Sequence, residues 1–126
     1  MPAWDEDGTL TADHESQLSL IYYPNRAGLE DRVWRIQSGL SPATSPLVRS
    51  CHQITNVRLT TASEGHAHVS SHWQTHVYLP EKQHAFTYFG FYEHVLQRGE
   101  ETLRIAKKKI ILLNDVVESV LDIYHV

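Results

Sequence analysis

From residue 50 onward, the chain consists of long segments of β-forming residues separated by short turn signals. The clearest segment is His66 to Leu79, where apolar side chains take odd positions and mostly polar side chains take even positions. This alternation is typical of a strand with one buried and one solvated face. It constrains the chain to a fold built mainly from long, sequential antiparallel strands.

Three further segments fit this pattern. Ser50 to Ala62 predicts a strand with a bulge near Asn56, followed by a turn at residues 63–65. Ala85 to Arg98 predicts a strand with aromatic residues on both faces: Phe86, Tyr88 and Tyr92 on one, and Phe89, Phe91 and Val95 on the other. Thr102 to Asn114 predicts the last strand, whose end at residues 110–113 is apolar on both faces and needs cover on both.

One helix is predicted from Asn25, because Leu29, Val33 and Ile36 recur at helical spacing before Gly39. Residues 1–17 are acidic and polar and are interpreted as loop, Leu18 to Tyr23 as a short strand or extended lead-in, and Leu40 to Arg49 as a connecting loop. We expect one α+β domain over residues 1–126, with a helix on a curved sheet. A single helix cannot cover aromatic residues on both faces, so we expect the cover to come from another chain or a missing segment.

Composition excludes several classes of function. The single cysteine, Cys51, rules out an internal disulfide, a four-cysteine metal site, and a Rieske cluster, which needs two cysteines and two histidines. A formal net charge of -4 argues against nucleic acid or anionic lipid as partners. The chain has neither an apolar run long enough to span a membrane nor a signal peptide, so a cytoplasmic location is expected.

Four of the nine histidines, His66, His68, His72 and His76, share one face of a predicted strand. Two imidazoles two residues apart on a strand can reach one metal ion. No acidic residue lies between Glu64 and Glu81, and no histidine is followed two positions later by an acid, as iron-binding triads often require. A solvated or subunit-facing polar surface is therefore the favoured interpretation.

Two other groups of polar residues have structural interpretations. Cys51 and His52 are adjacent and would point to opposite faces of a strand, so Cys51 is interpreted as a buried structural cysteine. Lys107, Lys108 and Lys109 alternate between faces and form no continuous patch, which indicates a solvated edge or an interface with an acidic partner.

One enzymatic alternative stays open on fold grounds. A curved sheet around a helix makes a cone whose pocket can host acid/base chemistry by Tyr88, Tyr92, His94 or Asp31, as in a stand-alone isomerase, dehydratase or small-ligand binder. Spacing does not choose among these residues. The competing interpretation is that they are satisfied polar groups of a core or an interface.

Two stretches carry a family resemblance: Ser19 to Gly39, which contains Tyr-Tyr-Pro-Asn-Arg-Ala-Gly-Leu-Glu-Asp-Arg-Val-Trp, and Lys107 to Val126. Together with the opening Met-Pro-Ala-Trp and the Tyr-Phe-Gly at residues 88–90, they resemble the small (beta) subunit of aromatic-ring-hydroxylating dioxygenases. The benzoate/toluate 1,2-dioxygenase branch is the most similar, followed by the anthranilate enzymes. The resemblance covers essentially the whole chain.

The resemblance implies a cone-shaped, NTF2-like (cystatin-like) fold with a mixed or antiparallel sheet. It also implies assembly with a large (alpha) subunit that holds the Rieske [2Fe–2S] cluster and the mononuclear iron, as an alpha3beta3 hexamer with beta–beta contacts. The whole complex would perform NADH-dependent cis-dihydroxylation of a benzoate-like ring in aromatic catabolism. This chain would be structural and inactive alone, with no catalytic, cofactor-binding or metal-binding residues.

Two further expectations follow, of which the first is implied by the resemblance and the second is independent of it. Relatives begin with additional helices that close the cone, and their Met-Pro-x-Trp lies inside the chain, so the present sequence is expected to lack those helices. The final strand and the C-terminal tail are the first candidates for contact with the partner.

Overall fold

The computed structural model describes residues 1–13, 17, 19–39, 47–118 and 120–126. It contains one helix and four strands: α1 (Ala27–Gln37), β1 (Arg49–Ser63), β2 (His66–Leu79), β3 (His84–Arg98) and β4 (Leu103–Leu112). The strands form one antiparallel sheet in the order β1-β2-β3-β4. The predicted α+β class is confirmed, and each predicted strand lies within about two residues of the observed one.

Side-chain alternation divides the sheet into two faces. The core face carries a cluster of buried residues, and the N-terminus and the C-terminal tail pack against that cluster through Met1 and Leu121. The buried members are Trp73, Val77, Tyr88, Tyr92, Leu112 and Val126. Burying an apolar side chain of this size contributes about 1.5–3 kcal/mol, so this layer is the main source of stability.

Aromatic packing fixes the centre of the core face. The Trp73 indole stacks on the Tyr92 ring with 5.2 Å between centroids, and its Nε1–H donates to the Phe91 carbonyl at 3.2 Å. The apolar ring of the indole is therefore packed and its N–H is hydrogen-bonded, as is usual for a buried tryptophan. The predicted assignment of Tyr88 and Tyr92 to one face and Phe89 to the other is confirmed.

The predicted bulge near Asn56 is present. The β1–β2 register shifts between Thr55 and Arg58, and Asn56 has a φ of 51°. Asparagine tolerates this left-handed conformation better than most residues, which explains the break in alternation at this point. Two further shifts are present, one between Leu59 and Thr61 of the β1–β2 pair and one between Val95 and Leu96 of the β3–β4 pair.

Helix α1 begins and ends close to the predicted positions, and none of its residues is buried. Arg32 connects the helix to its surroundings: Nε donates to the Tyr23 hydroxyl at 3.1 Å and lies 3.5 Å from Oδ1 of Asp122 in the tail. The C-terminal tail, residues 121–126, packs against the core face through Leu121 and Val126. The Arg32–Asp122 contact therefore connects the helix to the tail that covers the sheet. Leu29 and Val33 remain substantially exposed.

The N-terminal segment forms isolated bridges, Pro2 with Ser19 and Trp4 with Leu10, rather than strands. The residues before Pro24 therefore form the extended lead-in and not the short strand, although Leu18 itself lies outside the described residues. Most of the loop predicted over residues 40–49 lies outside them as well. No helix within the described ranges is long and apolar enough to cross a membrane.

Candidate interaction surface

The sheet face opposite the core face is here called the outer face, and most of its described side chains are exposed or half-buried, although Ile111 of β4 is buried. The even-numbered residues of β2 point to it, including all four histidines of the predicted polar face: His66, His68, His72 and His76. Each of these histidines is exposed. The interpretation of this strand face as a polar surface, with Trp73 and Val77 buried behind it, is confirmed.

Neutral partners surround two of these histidines. The Asn56 amide nitrogen donates to Nδ1 of His72 at 3.2 Å, and His76 Nδ1 lies 2.9 Å from the Thr87 hydroxyl. Among the residues that the structure describes, no three His, Cys, Asp or Glu side chains lie close enough together to hold a metal ion. The histidine spacing therefore gains no geometric support as a metal site.

Cys51 corrects one prediction. Its thiol is exposed and free, whereas a buried position was expected. The reason is its place on β1, an edge strand whose fifteen residues are all exposed. Its neighbour His52 does point to the opposite face, because Cys51 pairs with His76 and His52 pairs with Thr75.

Apolar side chains interrupt the polar surface at its centre. Phe89 and Phe91 on β3 are 44% and 37% exposed. Phe91 borders a shallow depression of about 420 Å³, whose lining also includes Arg58, His72 and Ile111. Exposed aromatic rings beside polar groups are typical of protein–protein contact surfaces. This exposure agrees with the prediction that another chain or a missing segment covers the aromatic side chains of the sheet.

The outer face is also strongly basic. Strand register places five basic side chains on it and one acidic side chain, Glu93. The basic residues are Arg49, Arg58, Arg104, Lys107 and Lys109. The predicted alternation of the lysine run is confirmed, since Lys108 points to the core face. Lys107 and Lys109 share this face with arginines of β1 and β4, but β2 and β3, which carry the acidic Glu93, lie between these lysines and the β1 arginines.

The structure brings together only part of the acid/base group suggested by sequence. The Tyr92 and His94 rings lie 5.4 Å apart, and Lys108 Nζ lies 4.0 Å from the Tyr92 ring centroid. Burial raises the pKa of Tyr92 to about 12, while burial and then Lys108 lower the pKa of His94. A phenol that keeps its proton to that pH is a poor base at neutral pH. Asp31 is exposed on α1.

Sequence reasoning missed a buried polar group at the tail. His125 is buried, and its Nδ1 accepts a hydrogen bond from the Asp122 backbone N–H at 3.0 Å. The hydrogen of the neutral imidazole then lies on Nε2, which has no partner among the described residues, as is also true of the buried Thr75 hydroxyl. Burial lowers the pKa of His125, Asp122 acts in the opposite direction, and His52 lowers it further. No local sequence signal predicts this burial, because it depends on how the tail packs against Tyr88 of β3.

Comparison with known proteins decides the family. The sequence model of the protein family described as "ring hydroxylating beta subunit" matches residues 1–119.

The chain belongs to this family of ring-hydroxylating beta subunits.

Relatives agree with the family assignment. The chain is 44% identical to the toluate 1,2-dioxygenase subunit beta of Pseudomonas putida, over all of this chain and 76% of that protein. It is 38% identical to the benzoate 1,2-dioxygenase subunit beta of Acinetobacter baylyi, over all of this chain and 73% of that protein.

A crystal structure shows the same fold. The beta subunit of the benzoate 1,2-dioxygenase from Burkholderia mallei superposes with a TM-score of 0.78 at 36% identity, covering all of this chain and 74% of that one. The expected NTF2-like α+β class of this ring-hydroxylating beta subunit is consistent with that similarity, and the resemblance based on the two motif stretches is confirmed.

The redox groups of ring-hydroxylating dioxygenases do not fit the donor set of this beta subunit. A Rieske cluster needs two cysteine and two histidine ligands, and the whole sequence has one cysteine, Cys51. A mononuclear iron site needs two histidines and a carboxylate in one place. The described residues bring no such group together.

Proposed function

We propose that this beta subunit is a structural, non-catalytic component of a benzoate-type aromatic-ring 1,2-dioxygenase, folded as one domain over residues 1–126. The observation that carries the proposal is the family match across residues 1–119. Curated relatives support the substrate class, because they are named as subunits of toluate, benzoate, 2-halobenzoate and anthranilate 1,2-dioxygenases.

The partner in this proposal is a large (alpha) subunit that holds the Rieske cluster and the catalytic iron, in a cytoplasmic alpha3beta3 hexamer with beta–beta contacts. The complex oxidises NADH and inserts both atoms of dioxygen into the ring, giving a cis-diol carboxylate. No residue of this chain takes part in that chemistry. The unsuitability of the donor set for either redox group supports this division of labour.

Surface chemistry supports a role in assembly. The outer face presents the exposed rings of Phe89 and Phe91 among basic side chains. Strand β1 is a long edge strand on which the apolar side chains of Ile54 and Leu59 are exposed. Exposed strand edges and aromatic patches are normally covered in stable soluble proteins. A subunit that works only inside a larger complex has this kind of surface.

Separate expression of the two subunits tests the proposal. With benzoate, NADH and the electron-transfer partner present, this chain alone should give no cis-diol and contain no stoichiometric iron. Adding it to the large subunit should raise the rate of diol formation. Cys51→Ser should leave the cluster spectrum of the mixture unchanged. Diol formation by this chain alone, or loss of the cluster spectrum in the variant, would contradict the proposal.

A further inference from the structure

We propose that the outer face of the sheet binds the acidic N-terminal turn of a second copy of this chain. The inference rests on the beta–beta contacts of the proposed function and names the two surfaces that form them. One surface is basic and aromatic, and the other is acidic and carries an exposed tryptophan. Both belong to the same chain, so repeated copies can join head to tail.

The basic side has charges that the described structure does not neutralise. Glu93 is the one acidic residue on the outer face, and its carboxylate lies 3.4 Å from Lys109 Nζ. Within the described ranges no carboxylate forms an ion pair with Arg58, Arg104 or Lys107. The chain as a whole has 15 acidic residues against 11 Lys and Arg, so this surface is opposite in sign to the rest of the molecule. Such asymmetry favours an acidic binding partner.

The acidic side is a preorganised turn at residues 5–7, Asp-Glu-Asp. The backbone N–H of Asp5 donates to the Thr9 carbonyl at 2.8 Å, and that of Gly8 donates to the Asp5 carbonyl at 2.9 Å. Asp7 Oδ1 accepts from the Thr9 backbone N–H at 2.9 Å and from its hydroxyl at 2.7 Å. Little conformational entropy remains to be lost when such a turn binds.

Trp4 connects this turn to the sheet. Its Nε1–H donates to the carbonyl of Leu112, the last residue of β4, at 2.7 Å. The Trp4 backbone also forms an isolated antiparallel β-bridge with Leu10. The ring is still 45% exposed. The turn therefore presents an aromatic ring beside its carboxylates, which complements the exposed Phe91 and the nearby Arg58 guanidinium of the outer face. Aromatic and arginine side chains are the usual anchors of protein interfaces.

A contact of this kind is compatible with a ring. A contact between two different patches of identical chains is heterologous, and such contacts close into cyclic assemblies when the rotation permits. The hydrogen bond from Trp4 to Leu112 holds the turn beside the C-terminal end of β4. Three copies joined in this way would match the three beta subunits of the proposed hexamer. The charge pairs are exposed at the rim, so the contact should weaken as salt rises.

Zero-length carbodiimide cross-linking of the purified complex tests the contact, because this reagent joins amines to carboxylates that touch. We expect a covalent dimer of this chain, at twice its 14.5 kDa mass, with Lys107 joined to a carboxylate of residues 5–7. A link within one chain would not change the mass. The double variant Arg58→Glu/Arg104→Glu should reduce the dimer about tenfold. Arg35→Glu, on the exposed face of α1, is the matched control and should leave it unchanged.

Three outcomes overturn the inference. The first is a cross-link between Lys107 and the large subunit, which would assign the outer face to that partner. The second is a chain that stays at its single mass although Lys107 reacts with an amine-specific reagent in the complex. The third is a double variant that gives the same dimer yield as the control. Failure of the chain to copurify with the large subunit is a separate result, which would reject the proposed function instead.

Discussion

Gly90 lies on β3 where the backbone of β4 leaves no room for a side chain. A Cβ built at this position would overlap the Ile111 carbonyl oxygen, which belongs to the backbone and cannot rotate away. The same residue pairs with Trp73 on one side and Leu112 on the other. The glycine is thus required for the close β3–β4 pairing at this position.

Gly90→Ala is therefore expected to lower the free energy of unfolding by at least about 2 kcal/mol, since the added methyl group forces the two strands apart. Chemical denaturation of the complex or of the chain measures this change. Ala85→Gly, on the exposed part of the same strand, is the control and should cost less than about 1 kcal/mol. Equal effects of the two substitutions would show that the close approach to Ile111 is not important.

The tail formed by residues 121–126 is the element that closes the core face. His125 packs against the Tyr88 ring with 5.7 Å between centroids, and Leu121 and Val126 join the apolar cluster. The Asp122 carboxylate makes two contacts that hold the tail in place. It accepts a hydrogen bond from the Ile123 backbone N–H at 2.7 Å, and it lies 3.5 Å from Arg32 Nε of α1. The tail, the helix and the sheet are coupled through these contacts.

Acid should weaken this coupling. Burial lowers the pKa of His125, and also the pKa of His94, below the ordinary value of 6.5. The unfolded chain then binds protons at a higher pH than the folded chain does. Stability contributed by these neutral imidazoles is present above about pH 6.5 and is lost as the pH falls below it.

We expect the melting temperature to fall by a few degrees between pH 7.5 and pH 5.5. His125→Gln should make this fall smaller, whereas His66→Gln, an exposed histidine of the outer face, should not. Thermal unfolding of the three proteins across this range measures the difference. The assignment to His125 is wrong if its variant keeps the full pH dependence while the melting temperature at pH 7.5 is close to that of the parent protein.

At this same scale, sequence predicted the elements well and their partners poorly. The strands and α1 follow from period and turn signals, which are local properties of the chain. The Asn56 bulge was predictable because alternation fails there. Burial of His125 was not, because it depends on where the tail packs in three dimensions. Exposure of Cys51 was missed for the same reason, since an edge strand cannot be recognised from its own sequence.

At the scale of the whole molecule, the basic outer face arises only when four strands are placed in register. Lys107 and Arg58 are distant in sequence and share a face through β2 and β3. The lysine run by itself does not reveal this shared face, because the pairing of all four strands determines it. The family, in contrast, was recognisable from sequence because its motif stretches are continuous.

The proposed function makes this chain one subunit of a larger dioxygenase, without a redox centre of its own. Native mass spectrometry of the complex co-expressed with the large subunit tests both parts of this proposal at once. We expect one species that contains three copies of each chain, and a released subunit whose mass is that of the 14.5 kDa polypeptide without iron or sulfide. A chain that stays separate from the large subunit, or is released with bound iron, would contradict it.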